Sequence, residues 1–115
     1  MDSPQPFLPL THVVYHVLLS LSHGKRHGYG IIKDVARRTG GRLELEAGTL
    51  YAAVKRLGDD GLIQDVVAPP DTDARRRYYG LTELGADVLR AESERLEELV
   101  ELARDARVLP SHGEA

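Results

Sequence analysis

The feature that most constrains this chain is a long amphipathic segment near its C-terminus. Residues 82–109 read TELGADVLRAESERLEELVELARDARVL, and Thr82 is a good N-cap for the helix that they predict. The apolar residues recur at helical spacing: Leu84, Val88, Leu89, Leu96, Leu99, Val100 and Ala103. A helix of about 25 residues spans roughly 40 Å. A small three-helix body cannot cover that length, so we expect part of the stripe to meet a second chain.

The stripe therefore predicts a dimerisation helix over residues 82–109. Leu89, Leu96 and Ala103 are seven residues apart, as in a packing seam between two helices. Glu92 interrupts that seam, which argues against a long regular coiled coil. The residues that we expect at the interface are Val88, Leu89, Leu96, Leu99, Val100 and Ala103.

Length and composition indicate one domain without disulfides. At 115 residues the chain is too short for a second core, and its lack of cysteine excludes disulfides, thiolate metal sites and cysteine nucleophiles. No apolar run approaches the length of a membrane span, and the first residues, MDSPQPFLPL, lack the charged start of a signal peptide. We therefore expect a cytoplasmic protein.

The net charge of −3 hides an uneven distribution. Residues 23–80 hold 11 Lys/Arg against 8 Asp/Glu, whereas residues 81–115 hold 4 against 9. A basic middle followed by an acidic helix suits a module with one surface that faces a polyanion. A chain that never meets nucleic acid also tolerates such asymmetry.

The first part of the chain predicts a loose arm and a helix. Residues 1–8 show no periodicity and form the arm, with Phe7 and Leu8 able to pack onto the body. Pro9 suits the first turn of a helix, because its missing N–H would be unpaired there anyway, and Gly24 closes that helix. The residues in between carry a clear apolar stripe.

A second helix is predicted within GKRHGYGIIKDVARRTGG, after a short loop. Its buried side is expected to hold Tyr29, Ile31, Ile32, Val35 and Ala36. The glycine-rich HGYG does not end in GK[ST] and follows no strand, so it is not a phosphate loop, and no cofactor motif is present elsewhere. Residues 42–45 are a candidate single strand.

The third predicted helix, residues 47–60, has the pattern that best fits a nucleic-acid groove. Its apolar face recurs at helical spacing: Leu50, Ala53, Val54 and Leu57. The opposite side begins with the small residues Gly48 and Ala52 and then offers Tyr51 and Lys55, with Arg56 and Thr49 at its margins. Small residues allow close approach of a backbone, while the phenol and cations can reach base edges and phosphates.

A β-hairpin is predicted over residues 63–81. The apolar LIQDVVA, the turn PPDTDA and the return segment RRRYYGLT give two strands around a proline-rich tip. Alternation would place Arg75, Arg77 and Tyr79 on one face and Arg76 and Tyr78 on the other, with one tyrosine packed inward. Three adjacent arginines can deter edge pairing, but beside a groove-sized helix we expect phosphate or minor-groove contacts.

In this order, the pieces make a winged helix-turn-helix over residues 9–81, a C-terminal dimerisation helix over 82–109 and a disordered tail over 110–115. Three motifs follow one another along the chain: HGYG, then GTLY with GLI, then RRRYYGLT followed by G and L. With these motifs the chain resembles the PadR family of bacterial transcriptional regulators. The resemblance runs from about Leu8 to Leu109. The single C-terminal helix is similar to the smaller-subfamily form. Ala52 stands where the family often has proline after GTLY, and the last helix lacks the aromatic residues with which some relatives stack planar drugs.

This resemblance implies a homodimeric winged-helix repressor that binds double-stranded DNA at an inverted-repeat operator. The residues themselves suggest the roles. Thr49, Tyr51 and Lys55 would reach base edges or phosphates, and Arg56 would clamp the DNA backbone or an acid. The wing and the loop before the second helix would add phosphate contacts, and which tyrosine faces DNA stays open; the candidates are Arg75, Arg76, Arg77, Tyr78, Lys25, Arg26 and His27.

Two other classes of function remain open at this point. A winged helix can serve as a protein–protein interaction module, since fold does not dictate function. A metal-responsive regulator would use His12 and His16, which share one helical turn, but a third ligand is needed. An enzyme is disfavoured because no nucleophile has a base at a suggestive position, and Ser20, Ser22 and Ser93 read as ordinary polar residues.

Overall fold

The computed structural model describes residues 3–73 and 75–113 and contains four α-helices with a small antiparallel sheet. The elements are α1 (His12–Leu21), β1 (Arg26–His27), α2 (Gly28–Arg38), α3 (Ala47–Asp59), β2 (Ile63–Val66), β3 (Tyr78–Leu81) and α4 (Glu83–Asp105). This confirms the predicted winged helix-turn-helix with a long last helix.

The sheet has three strands rather than two, in the order β1-β3-β2. Residues Arg26 and His27, which we expected in a loop, pair with Tyr79 and Tyr78 of β3. Residues 42–45 form no strand; the N–H groups of Arg42 and Leu43 donate instead to the carbonyl and the hydroxyl of Thr39. β3 begins at Tyr78, so residues 75–77 lie in the loop before it, and strand alternation does not apply to the wing arginines.

The N-terminal segment is more ordered than the sequence suggested. Gln5–Phe7 form a 3₁₀ turn, and Phe7 and Leu8 pack against the core. Pro9 does not start α1; Thr11 does so, because its side chain accepts a hydrogen bond from the Val14 N–H at 3.2 Å.

The core lies where α1, α2 and α3 meet the sheet and the first turns of α4. Leu18, Ile31, Leu50, Leu62 and Val88 are among its fully buried side chains. The prediction for α2 was wrong at one position, since the Tyr29 side chain is 56% exposed. Ile31 and Val35 fill the core face of α2, which leaves Tyr29 at the rim of the first turn.

α4 is attached to the winged helix by its first turn. Thr82 caps the helix as predicted, accepting a hydrogen bond from the Gly85 N–H at 3.0 Å, and its own N–H donates to the Leu62 carbonyl at 3.1 Å. A Cβ at Gly85 would lie 1.9 Å from that same carbonyl oxygen, so backbone packs directly on backbone here.

Beyond its midpoint α4 leaves the body, and the molecule extends 52 × 37 × 25 Å. The helix ends at Asp105 rather than at 109. Of the predicted disordered tail, residues 110–113 return along α4: Arg104 donates to the Pro110 carbonyl at 2.7 Å, and the His112 ring lies 2.7 Å from Glu101. Residues 114–115 are outside the described part. Within residues 3–73 and 75–113, no helix combines the length and apolar character needed to cross a membrane.

Candidate nucleic-acid interface

α3 presents the exposed face that its sequence predicted. Leu50, Val54 and Leu57 are buried, while Thr49, Tyr51 and Lys55 are exposed. Lys55 pairs with Asp59 across one turn at 3.1 Å, in a contact that is exposed on both sides. Such a pair contributes little to stability, so the ammonium can exchange Asp59 for a phosphate.

Tyr51 occupies the centre of this surface. Its side chain lines two depressions, of about 350 Å³ on the side of α2 and the wing and about 630 Å³ on the side of Lys55 and β2, which also share Arg77 and Tyr79. The half-exposed phenol makes no hydrogen bond with any residue in the described part of the chain. Its hydroxyl is therefore available to an external partner.

Arg56 lies on a different side of α3. It borders a depression formed with the N-terminal segment, next to Pro6, Phe7 and Asp60, and not the two depressions that Tyr51 lines. One helix can present Lys55 and Arg56 to different surroundings because consecutive residues are about 100° apart around its axis. Arg56 is thus not brought together with the other predicted contact residues.

The three wing arginines are exposed; Arg75 and Arg77 form ion pairs within the chain, and Arg76 lies beside His27. Arg75 pairs with Asp73 at 3.2 Å, and Arg77 pairs with Asp65 at 2.6 Å. The hydrogen bond and charge of Asp65 raise the pKa of the Arg77 guanidinium, so it stays cationic. Arg76 reaches across to β1, where its Nη1 lies 2.8 Å from His27 Nε2.

His27 joins the wing to the start of α2. Its Nδ1 accepts a hydrogen bond from the Gly30 N–H at 3.0 Å and so caps the helix. Burial, together with the charge of Arg76, lowers the pKa of the His27 imidazole, which keeps Nδ1 free to accept. The His27 and Tyr29 rings are parallel, with centroids 6.5 Å apart, and the Lys33 ammonium lies 5.6 Å from the Tyr29 centroid.

The predicted DNA contact Tyr78 is internal instead. Tyr78 is only 8% exposed and meets the His27 ring edge-to-face, and Tyr79 is buried as well. Successive residues of a strand point to opposite faces of the sheet, and both faces are covered here: Tyr79 belongs to the main core cluster, and Tyr78 packs against the His27 ring. The expectation of Tyr78 at a DNA-facing surface was therefore wrong.

Arg26 also has a structural role rather than the expected exposed one. Its Nε donates to the Ser20 carbonyl at 2.9 Å, and its Nη2 lies 3.3 Å from the buried carboxylate of Asp34. Burial alone would raise the pKa of the Asp34 carboxyl, but the hydrogen bond from Arg38 and the charge of Arg26 hold it below its ordinary value. Lys25, in contrast, is exposed and donates to the Val67 carbonyl at 2.7 Å.

Sequence reasoning missed the cluster around Asp34. Arg37 and Arg38 also pair with this carboxylate, and Arg37, Lys33 and Gly30 line a shallow basic depression along α2. The i+3 and i+4 spacing from Asp34 to the two arginines was a visible signal. The third partner, Arg26, is reached only through the fold.

The histidine pair of the metal-responsive alternative is adjacent on α1, with ring centroids 4.6 Å apart. Burial, followed by the charge of His12, lowers the pKa of the His16 ring. No group of three metal-binding side chains occurs among residues 3–73 and 75–113.

The predicted dimer residues fall into two groups. Leu96, Leu99 and Val100 are exposed, and Ala103 is partly exposed. Val88 and Leu89 are buried in the core of their own chain, so their assignment to an interface between chains was wrong. Leu102, 59% exposed, was not among the predicted interface residues.

This architecture defines a winged-helix protein with a projecting C-terminal helix. Residues 17–91 match the model of the transcriptional regulator PadR-like family, and the chain belongs to that family of transcriptional regulators. An uncharacterised protein from Lysinibacillus sphaericus is 29% identical over 74 residues, covering 64% of this chain and 68% of its own.

Solved structures agree with this assignment. A transcriptional regulator from Clostridium thermocellum is 25% identical, with a TM-score of 0.70 over 91% of this chain and 97% of its own. A PadR family regulator from Clostridium difficile is 25% identical, with a TM-score of 0.65 over 83% and 97%. Bacillus subtilis PadR, solved in complex with operator DNA, is 25% identical with a TM-score of 0.61, over 70% of this chain and 46% of its own.

Proposed function

We propose that this protein is a homodimeric repressor that binds an inverted-repeat operator in double-stranded DNA, with α3 in the major groove and the wing on the backbone or minor groove. The observation that carries the proposal is one continuous surface on which Tyr51 and Lys55 of α3 lie beside Arg75, Arg76 and Arg77. The similarity to a PadR protein solved with operator DNA supports it.

The residues that we assign to DNA differ from the sequence-based set. Thr49, Tyr51 and Lys55 would read bases or contact nearby phosphates, and the wing arginines and Lys25 would contact phosphates. Arg26 and Tyr78 are left out because both are engaged within the chain, and Arg56 because it faces the N-terminal segment.

The homodimer is supported by the apolar side chains on the distal part of α4. Leu96, Leu99, Val100 and Leu102 are exposed on a single helical segment, which is costly in water for an isolated chain. A second copy of α4 would cover them, and a two-fold dimer would present two recognition helices to the two halves of an inverted repeat.

Selection of bound duplexes from a random pool tests the proposal directly. We expect enrichment of an inverted repeat, whose half-site spacing would report the geometry of the dimer. Enrichment of no motif would contradict the proposal and would favour the protein–protein interaction module.

A salt titration on the enriched duplex tests the wing. Each phosphate contact contributes about 0.9 to the slope of log affinity against log salt, so Arg76→Ala and Arg77→Ala should each flatten it by about 1, and the double variant by about 2. Arg90→Ala, which removes one exposed cation from α4, is the matched control and should leave the slope unchanged. An unchanged slope in the wing variants would remove the wing from the interface.

A further inference from the structure

Gly28, the first residue of α2, is packed directly against the phenol of Tyr51. A Cβ at this position would lie 2.5 Å from Tyr51 Oη, 2.8 Å from Cζ and 3.0 Å from Cε1. Real side chains do not approach so closely, so residue 28 can carry no side chain while the Tyr51 ring occupies that space. The backbone does not explain the glycine, because Gly28 has an ordinary helical conformation rather than a positive φ.

Other glycines near the interface lack such a contact. A Cβ at Gly30, two residues further along α2, would meet the His27 ring at an ordinary 3.4 Å, and one at Gly48 would meet nothing within 4 Å. Of these three glycines, only Gly28 has the space for a Cβ occupied by a side chain of α3.

The contact supports a side chain that no hydrogen bond holds within the described part of the chain. Tyr51 is half exposed and has no hydrogen-bond partner in the described part of the chain, yet it lines both depressions of the candidate interface. A tyrosine ring has only two rotatable bonds, so one van der Waals support from behind restricts it strongly.

We propose that Gly28 is a positioning residue for DNA recognition: it seats the Tyr51 phenol against the start of α2 and so presents the hydroxyl at a fixed place on the groove-facing surface. This inference rests on the proposed DNA-binding function. Fixing the ring before DNA arrives removes part of the entropic cost of binding and sharpens the choice of base. Gly28 itself touches no DNA in this scheme.

The substitution Gly28→Ala tests the proposal, because its effects on folding and on recognition have opposite signs. Alanine favours a helix over glycine, so the midpoint of thermal unfolding should stay the same or rise once the Tyr51 ring has moved aside. Affinity for the operator enriched from the random pool should fall about tenfold, within the range for loss of one base contact. Affinity for a duplex of unrelated sequence at low salt should change little, because the phosphate contacts remain.

Two further variants separate positioning from a folding defect. In a Tyr51→Ala background, Gly28→Ala should cause no additional loss of operator affinity and should not lower the unfolding midpoint, since the obstructing ring is gone. Gly30→Ala is the matched control in the same helix and should match the wild-type affinity.

Fluorotyrosine labelling reads the ring position without DNA. The chain has five tyrosines, and Tyr51→Phe identifies the Tyr51 signal in the ¹⁹F spectrum. Gly28→Ala should shift that signal and Gly30→Ala should not.

Three results would overturn the inference: an unmoved Tyr51 signal, wild-type operator affinity in Gly28→Ala, or an equal loss with and without Tyr51. Failure of the wild-type protein to enrich any duplex would instead overturn the proposed function, and the positioning role with it. The two failures are therefore distinguishable by whether wild-type protein selects DNA.

Discussion

The two halves of α4 carry the same kind of apolar stripe but have opposite surroundings. In the proximal half, residues 83–92, Val88 and Leu89 are buried against the winged helix. In the distal half, residues 93–105, Leu96 and Leu99 have exposed fractions of 37% and 48%. Periodicity thus identifies which face of a helix is apolar, but it does not say whether that face is covered by its own chain or by another.

Glu92 lies at the boundary between the two halves. The residue is 1% exposed, and its carboxylate accepts hydrogen bonds from the Leu10 N–H at 2.7 Å and from Arg95 Nη2 at 3.1 Å. The sequence showed this residue as an interruption of an intermolecular seam. The structure shows it as an internal contact that fastens the N-terminal segment to α4.

The largest effect is expected from charges placed in the distal half. Leu96→Asp with Leu99→Asp should leave the protomer folded but abolish the proposed dimer, since burying unpaired carboxylates costs about 4 kcal/mol or more. Sedimentation would show a monomer, and operator affinity would fall because one half-site is lost. The contrasting variant Leu89→Asp should unfold the chain itself. An intact dimer of the double variant would contradict the assigned interface.

The next largest effect is expected from replacing a leucine by alanine, and the same change can be compared in the two halves of α4. Leu89→Ala should lower the free energy of unfolding by about 3 kcal/mol at any protein concentration, because it leaves a cavity in the core. Leu99→Ala should leave the unfolding of the dilute protomer nearly unchanged and should instead weaken its concentration-dependent stabilisation. Urea unfolding at several protein concentrations measures both. An equal loss of unfolding free energy in the two variants, at every protein concentration, would contradict this difference between the halves.

A smaller effect is expected at the boundary. Glu92→Gln keeps the size of the side chain but removes the charge that binds Arg95, which should cost about 2 kcal/mol of unfolding free energy at neutral pH. Arg95 is partly exposed and remains solvated, so the loss stays below that of the core variant.

This loss should depend on pH in a defined direction. The hydrogen bond from Arg95, opposed by burial and aided by the Leu10 N–H, lowers the pKa of the Glu92 carboxyl below its unfolded value. The stabilisation is therefore fully present above the unfolded pKa of about 4.3 and is lost as pH falls through the lower folded pKa. The difference between wild type and Glu92→Gln should be constant from pH 5 to 7 and shrink below about pH 4. A difference that stays undiminished from pH 5 down to pH 3 would contradict the role of the charge.

The smallest effect is expected from the corresponding carboxylate of the distal half. The pKa of Glu101 is lowered first by its hydrogen bond with His112, but this contact is exposed to solvent. Glu101→Gln should leave urea unfolding at neutral pH unchanged, because water and salt screen such pairs. A loss comparable with that of Glu92→Gln would show that the tail contact stabilises α4.

The sequence predicted those parts of the fold that local pattern decides. Apolar spacing was sufficient for α3 and α4, and side-chain chemistry was sufficient for the Thr82 cap. The sequence could not reveal β1, because a strand of two residues has no period and exists only through pairing with β3.

The candidate site was predictable to the same degree. Tyr51 and Lys55 follow from helical geometry alone, and the wing arginines from their adjacency. Tyr78 and Arg26 could not be judged, because their burial depends on β1 and on Asp34, which is eight residues from Arg26 along the chain. Gly28 was visible as part of HGYG, but its reason lies in a contact with Tyr51 that only the packing of α2 on α3 creates.

The direct contact of Gly85 with the Leu62 carbonyl has a consequence for the spacing of operator halves. At this contact the backbone of α4 packs directly on the Leu62 backbone, and Thr82 donates two hydrogen bonds beside it. Because no side chains lie between the two backbones there, we expect the angle between α4 and the winged helix to be fixed. In the proposed dimer, that angle determines how far apart the two recognition helices stand. One inserted base pair lengthens DNA by about 3.4 Å and rotates the second half-site around its axis. We therefore expect the dimer to bind such an operator much more weakly, because the distance between its recognition helices does not adjust.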